Sequence, residues 1–132
     1  MMMDVKLMIV VTSLSILNVC WGFIASIQAP LLPREAGLKG ASAGQFGPIF
    51  GIIHLALFIS SPVMGRCVGK YGLGCVFTSG LLISCVCGFL FGFLTFINNT
   101  QVFLITAYLL RMLEGVGGAA LWTAMLSLLL AW

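Results

Sequence analysis

This chain of 132 residues is 61% hydrophobic and only 7% charged, with a mean hydropathy of +1.21 and a formal net charge of +3. Soluble domains carry about 25% charged residues, so the composition excludes a soluble enzyme. It also excludes a nucleic-acid binder, because the few cations are scattered through short connections and form no basic stripe interleaved with aromatics.

Four apolar runs of about 20–25 residues use most of the length and leave no room for a soluble domain, which predicts an all-α, polytopic membrane protein with four transmembrane helices in contact with the lipid bilayer. The first span is expected at about 7–32. A secretory signal competes for this segment, but the apolar run is roughly twice the usual 7–15 residues and lacks a clean small-residue cleavage site. Asn18 and Gln28 are its strongest polar groups. Each can line a substrate path or bond a neighbouring helix. Pro30 and Pro33 are expected to stop this helix.

Residues 33–43 read as a polar connection with Arg34, Glu35 and Lys39. Ser42 and Gln45 then stand at capping-box spacing and open a second span at about 44–64, in which Pro48 is tolerated near the start. Gly47 and Gly51 form a G-x-x-x-G pair, expected to let another helix approach. His54, the single histidine, continues that face. It is a candidate proton carrier because its pKa lies near neutrality, and equally a neutral packing residue.

Met64 to Gly74 is a glycine-rich basic stretch, expected to form a turn with Gly65, Arg66, Lys70 and Gly72. A third span follows at about 73–97. Gly80, Ser84, Gly88 and Gly92 recur every four residues and so form one stripe for close helix packing. Phe89, Phe91 and Phe93 are expected to meet lipid or fill gaps. The five cysteines include no C-x-x-C pair, and Cys85 and Cys87 point to nearly opposite helical faces. They read as packing residues, with no metal and no cofactor implied.

Asn98-Asn99-Thr100-Gln101 is a short turn with an N-x-T sequon at Asn98. The fourth span, about 102–130, carries Arg111 and Glu114 inside an apolar run, followed by Gly115, Gly117 and Gly118. At ~1.5 Å per residue Arg111 lies roughly 14 Å deep, near the middle of a ~30 Å hydrocarbon core. A charge there is costly and needs a partner or a wet cavity. Glu114, three residues on, shares its helical face. The pair is either a structural ion pair in a glycine-packed bundle or the centre of a transport pathway.

The stretch Arg111-Met112-Leu113-Glu114-Gly115-Val116-Gly117-Gly118-Ala119 resembles the fourth-helix motif R-x-x-Q-G-x-G-A-A of proton-coupled antiporters of the major facilitator superfamily, with Glu114 at the place of the usual Gln. Gly65, Lys70 and Gly72 match part of that superfamily's conformational loop between helices two and three, although Gly69 stands where the family has Asp. The Pro30-Leu31-Leu32-Pro33 ending is similar to that of the vesicular amine and polyamine transporters.

The resemblance implies a partial amino-terminal half of a 12-helix transporter. The full-length parent would exchange protons for small organic cations by alternating access, with the missing remainder of the transporter as partner. Arg111, Glu114, His54, Asn18 and Gln28 are then the candidates for the substrate and proton pathway. A vesicular or other organelle membrane and the plasma membrane both remain open. Taking the amino terminus as cytoplasmic puts Lys6, Arg66 and Lys70 inside against Arg34 and Lys39 outside, the sign that the positive-inside rule asks for. The rival reading is a small four-helix assembly subunit without transport, against which the lack of a polar segment after the fourth span is expected to count.

Overall fold

The structure, a computed structural model, describes residues 2–131; the side chains of residues 2–4, 6 and 25 lie outside the described set, and with them the charge of Lys6 used for orientation. The chain forms α1 (Met2–Leu38), α2 (Ala43–Tyr71), α3 (Leu73–Phe93) and α4 (Thr100–Leu130), with a 3-10 turn at Leu94–Phe96. No strand occurs among the described residues. All four helices are long and apolar enough to cross a membrane.

Two helices run further than their prolines and glycines suggest. Pro30 and Pro33 lie inside α1, which continues to Leu38. Membrane helices absorb proline because neighbouring groups and small local adjustments satisfy the freed carbonyls. What ends α1 is Gly40, at φ 76, with Ala41 N–H bonded to Ala36 O at 2.9 Å and Gly40 N–H to Gly37 O at 3.1 Å. That pair of bonds is a Schellman cap, and it needs the left-handed backbone that glycine adopts freely. The connection to α2 is therefore Lys39–Ser42, much shorter than the expected 33–43.

The expected basic turn is also mostly helix, since α2 carries through Gly65, Arg66 and Lys70 to Tyr71. Gly72 alone, at φ 88, separates α2 from α3. At the start of α2, Ser42 N–H donates to Gln45 Oε1 at 2.9 Å, the return half of the capping box. α4 begins at Thr100, two residues earlier than expected, because the Asn99 side chain accepts the Gln101 amide at 3.1 Å and caps it.

α4 is the most buried of the four helices and α1 the least. The glycine cluster explains how α4 meets three neighbours at one level. A helix turns about 100° per residue, so Gly115, Gly117 and Gly118 face three directions. A Cβ on Gly115 would lie 2.5 Å from Ile53 O of α2, one on Gly117 would lie 2.7 Å from Ser84 Oγ of α3, and one on Gly118 would lie 3.3 Å from Trp21 Cζ2 of α1. From the other side, a Cβ on Gly80 of α3 would meet Ala120 Cβ at 2.8 Å.

The small-residue face of α3 thus packs on α4 at Gly80 and Ser84. Gly88 instead faces Ile24 and Gln28 of α1 at ordinary contact distance, and Gly92 has nothing within 4 Å. Gly47 and Gly51 likewise have no neighbour within 4 Å, so the G-x-x-x-G face of α2 receives no helix of this chain.

An apolar core lies toward the end of the bundle that holds the α1–α2 and α3–α4 connections, where Leu32, Ala36 and Ile49 pack with Phe91, Leu94 and Phe103. Polar bonds stitch the same end. The Lys39 ammonium donates to Thr95 O at 3.1 Å and to Ile97 O, and it stands 5.1 Å over the Phe103 ring. Thr100 Oγ1 donates back to Lys39 O at 2.6 Å, and the Tyr108 hydroxyl donates to Gln45 O at 2.9 Å. Two loops far apart in sequence are fixed to each other, and that holds α4 in register with α2.

Candidate functional site

Arg111 and Glu114 are each 3% exposed and are joined by Arg111 Nη1 donating to Glu114 Oε2 at 3.0 Å. The midpoint residue of α4 is Gly115, so both charges lie near the centre of the span. One turn of helix brings them together, as their spacing requires, and the glycines that follow bring α2 and α3 close enough to enclose them. The pair satisfies only part of the guanidinium. Arg111 Nε has no partner, and the guanidinium carbon Cζ lies over the Phe91 ring of α3, 4.6 Å from its centroid.

Phe91 is therefore not a lipid-facing residue. It is buried, and its ring supplies a cation–π face to the charge. Phe89 and Phe93, by contrast, are exposed and pack edge to face on each other at 5.2 Å. Which phenylalanine turns inward depends on the rotation of α3 against α4, set by Gly80 and Gly117. The local pattern of Phe89, Phe91 and Phe93 contains no signal for it.

Glu114 also lines a 240 Å³ cavity between α1, α3 and α4, together with Asn18, Trp21 and Ser84. The rest of the wall is apolar, including Phe77, Leu121 and Trp122. A second cavity of 520 Å³ continues between α1 and α3, lined by Gln28, Glu35 and Thr95 among apolar residues. Both cavities have Ile24, Ser84 and Cys85 in their walls. Asn18 and Glu114 thus line the first cavity and Gln28 the second, while Arg111 is bonded to Glu114 and lines neither.

His54 is exposed on α2 with Nδ1 3.3 Å from Phe50 O and lines neither cavity. Gly65 and Lys70 lie in the last two turns of α2 and Gly72 joins it to α3, and none of the three lines either cavity. Trp21 is a site residue that the sequence reading did not single out. Its indole Nε1 is buried without a partner, and the signal available was a polar-edged ring one turn from Asn18 in the uncharged run 7–32. The cysteines serve packing less than expected, because Cys20, Cys75 and Cys85 are exposed and only Cys87 is buried. Among the described residues, no three His, Cys, Asp or Glu side chains cluster as a metal site would need.

No family model matches this chain, and no solved structure matches it. Over 104 residues, 79% of the chain, it is 36% identical to the MFS-type transporter SLC18B1 of Homo sapiens. The proteins of the same name from Mus musculus and Rattus norvegicus are each 34% identical over the same share. The match covers 23% of each relative's length, so this chain spans about a quarter of the proteins it resembles.

Proposed function

From the premise that this chain is homologous to the MFS-type transporters, we propose that it forms one wall of a proton-coupled antiporter for small organic cations, the amino-terminal part of a longer transporter. The observation that carries this reading is the buried Arg111–Glu114 pair, enclosed on α4 and open on its Glu114 side to a cavity. Charges at mid-membrane depth are expensive and normally mark an ion or substrate path.

The chemistry follows from the carboxylate's limited capacity. Ionised Glu114 balances Arg111 and presents acceptor lone pairs to a cation in the cavity. A proton on Glu114 removes that attraction and leaves the fixed guanidinium charge to repel a cation. A proton and a cation then compete for one group, and competition for one site open alternately to each side is the logic of antiport. Phe91 and the glycine contacts hold Arg111 in place, so the switch lies in the protonation of Glu114. In this reading the amino terminus is cytoplasmic, and the membrane is a vesicular, other organelle or plasma membrane.

The test is a chimera in which this chain replaces the matched stretch of the human relative. Proteoliposomes holding the chimera should accumulate an organic cation such as a polyamine when a proton gradient is imposed, and should lose that uptake when the gradient is collapsed. The 132-residue chain alone should accumulate none, because the opposing wall is absent. Uptake by the chain alone, or a folded chimera with no gradient-driven uptake, would contradict the proposal.

A further inference from the structure

Two carboxylates stand among the described side chains, and each lines a cavity: Glu114 the one of 240 Å³ and Glu35 the one of 520 Å³. No lysine, arginine or histidine lines either. The two acids differ in their company. Glu114 is bonded to Arg111, so the pair is neutral overall. Glu35 makes no salt bridge and no side-chain hydrogen bond among the described residues, and it is only half-buried. Its negative charge is therefore the uncompensated one on the α1–α3 side of the bundle.

The neighbouring cations are engaged elsewhere. Lys39 follows Glu35 by one helical turn, with its N–H bonded to Glu35 O at 3.1 Å, and i,i+4 spacing would allow the side chains to pair. The Lys39 ammonium instead donates to Thr95 O and Ile97 O, just beyond the end of α3. A helix carboxyl terminus carries partial negative charge, and α3 has no basic residue of its own in its last turn. Lys39 fills that role from the other hairpin, which leaves Glu35 to the cavity. Arg34 is exposed and lines neither cavity.

The rest of the larger cavity's wall is mostly apolar, with Leu31, Phe89 and Phe103 among its residues. A carboxylate set in such a wall has lost part of its hydration, and an ammonium group restores it through charge-assisted hydrogen bonds. Small-molecule sites span about 300–1,000 Å³, and 520 Å³ falls within that range. On α1 the smaller cavity comes no nearer to Glu35 than Ile24. Those eleven residue steps are roughly 16 Å at ~1.5 Å per residue. One ammonium group cannot touch both acids across that distance.

We propose that Glu35 forms a second cation site, separate from Glu114, in which its carboxylate holds the ammonium group of an organic cation whose apolar body packs on Leu31 and Phe89. This rests on the reading of the chain as one wall of a path for organic cations.

The test is photolabelling of the chimera with 4-azidobenzylamine, a single ammonium group on an apolar ring, against its neutral analogue 4-azidobenzyl alcohol. Labelled peptides are identified by mass. The amine should label residues 27–35 or 88–95 around the larger cavity as well as residues 17–21 or 118–125 around the smaller one. At the larger cavity, Glu35→Gln should lower labelling by roughly ten-fold, the worth of one charged hydrogen bond. Glu35→Asp should restore most of it, and the alcohol should label that cavity as weakly as the amine labels Glu35→Gln. Labelling at the smaller cavity should be unchanged in both variants, which shows that they are folded. Amine labelling at the smaller cavity alone would overturn the second site and leave the cation path intact. Labelling of the larger cavity that is equal for amine and alcohol, or equal in Glu35→Gln and the parent, would overturn the role of Glu35. Loss of both labels in Glu35→Gln would also overturn it, by placing Glu35 in the fold instead of the site. No amine labelling at either cavity would overturn the second site and the cation path together.

Discussion

Gly115→Ala adds one methyl group at the tightest point of the α2–α4 seam. The new Cβ would stand 2.5 Å from Ile53 O, 2.8 Å from Ala56 Cβ and 3.3 Å from Ile53 C. Ordinary C···O contacts lie near ~3.3 Å, so the helices must part by roughly 0.8 Å. Neither obstacle is the far end of a flexible side chain, so the strain spreads along the seam. Overpacking of this kind costs ~1–3 kcal/mol, and a gap of ~0.5–1 Å forfeits a quarter to a half of each dispersion contact nearby. Alanine's better helix propensity returns at most ~1 kcal/mol. The expected net loss is ~1–3 kcal/mol. Gly51→Ala provides the control, because nothing lies within 4 Å of its Cβ position; it should be neutral or stabilising by up to ~1 kcal/mol. Unfolding of the purified chain in mixed micelles by SDS titration, followed by tryptophan fluorescence, measures both. A Gly115→Ala midpoint at or above that of Gly51→Ala would refute the account of how α4 is seated.

Two further substitutions probe the charged centre by the same titration. Removing either Arg111 or Glu114 alone, as Arg111→Leu or Glu114→Leu, should cost ~3–5 kcal/mol because it strands the other charge, while the double change should be near the parent in stability; a double variant worse than both singles would show that the pair is not mutually compensating. Phe91→Leu should cost ~2–3 kcal/mol through the lost ring volume and cation–π face, whereas Phe89→Leu on the exposed side of α3 should stay within ~0.5 kcal/mol; equal losses would mean that Phe91 does not hold Arg111.

Much of the fold is legible in the sequence because a bilayer leaves little choice. Long apolar runs must be helices, and the i,i+3 spacing alone puts Arg111 beside Glu114. The Gly-x-Gly-Gly run after them announces close packing for the same local reason. Helix ends were less legible. Pro30, Pro33, Gly65 and Gly69 all look like breakers under rules for water, yet only Gly40 and Gly72 adopt positive φ and end helices.

Helix rotation was least legible, because it depends on what lies across each seam. Gly80 and Gly92 are equally small in the sequence, and one is pressed against Ala120 while the other faces open space. Phe91 turns inward to Arg111 and Phe89 outward for the same reason. Polar character alone does not say which polar residues line a cavity: Asn18, Gln28 and Glu114 do, and His54 does not.

The most direct test of the transport reading is proton-driven cation uptake by the chimera carrying Arg111→Ala, compared with the unsubstituted chimera at matched membrane levels. The double Arg111→Leu, Glu114→Leu chimera serves as a control for folding. The account predicts that Arg111→Ala abolishes uptake, and that the double variant returns to parental membrane levels and still moves nothing. Uptake by Arg111→Ala at the parental rate would contradict it, and would leave the pair as a structural bridge only.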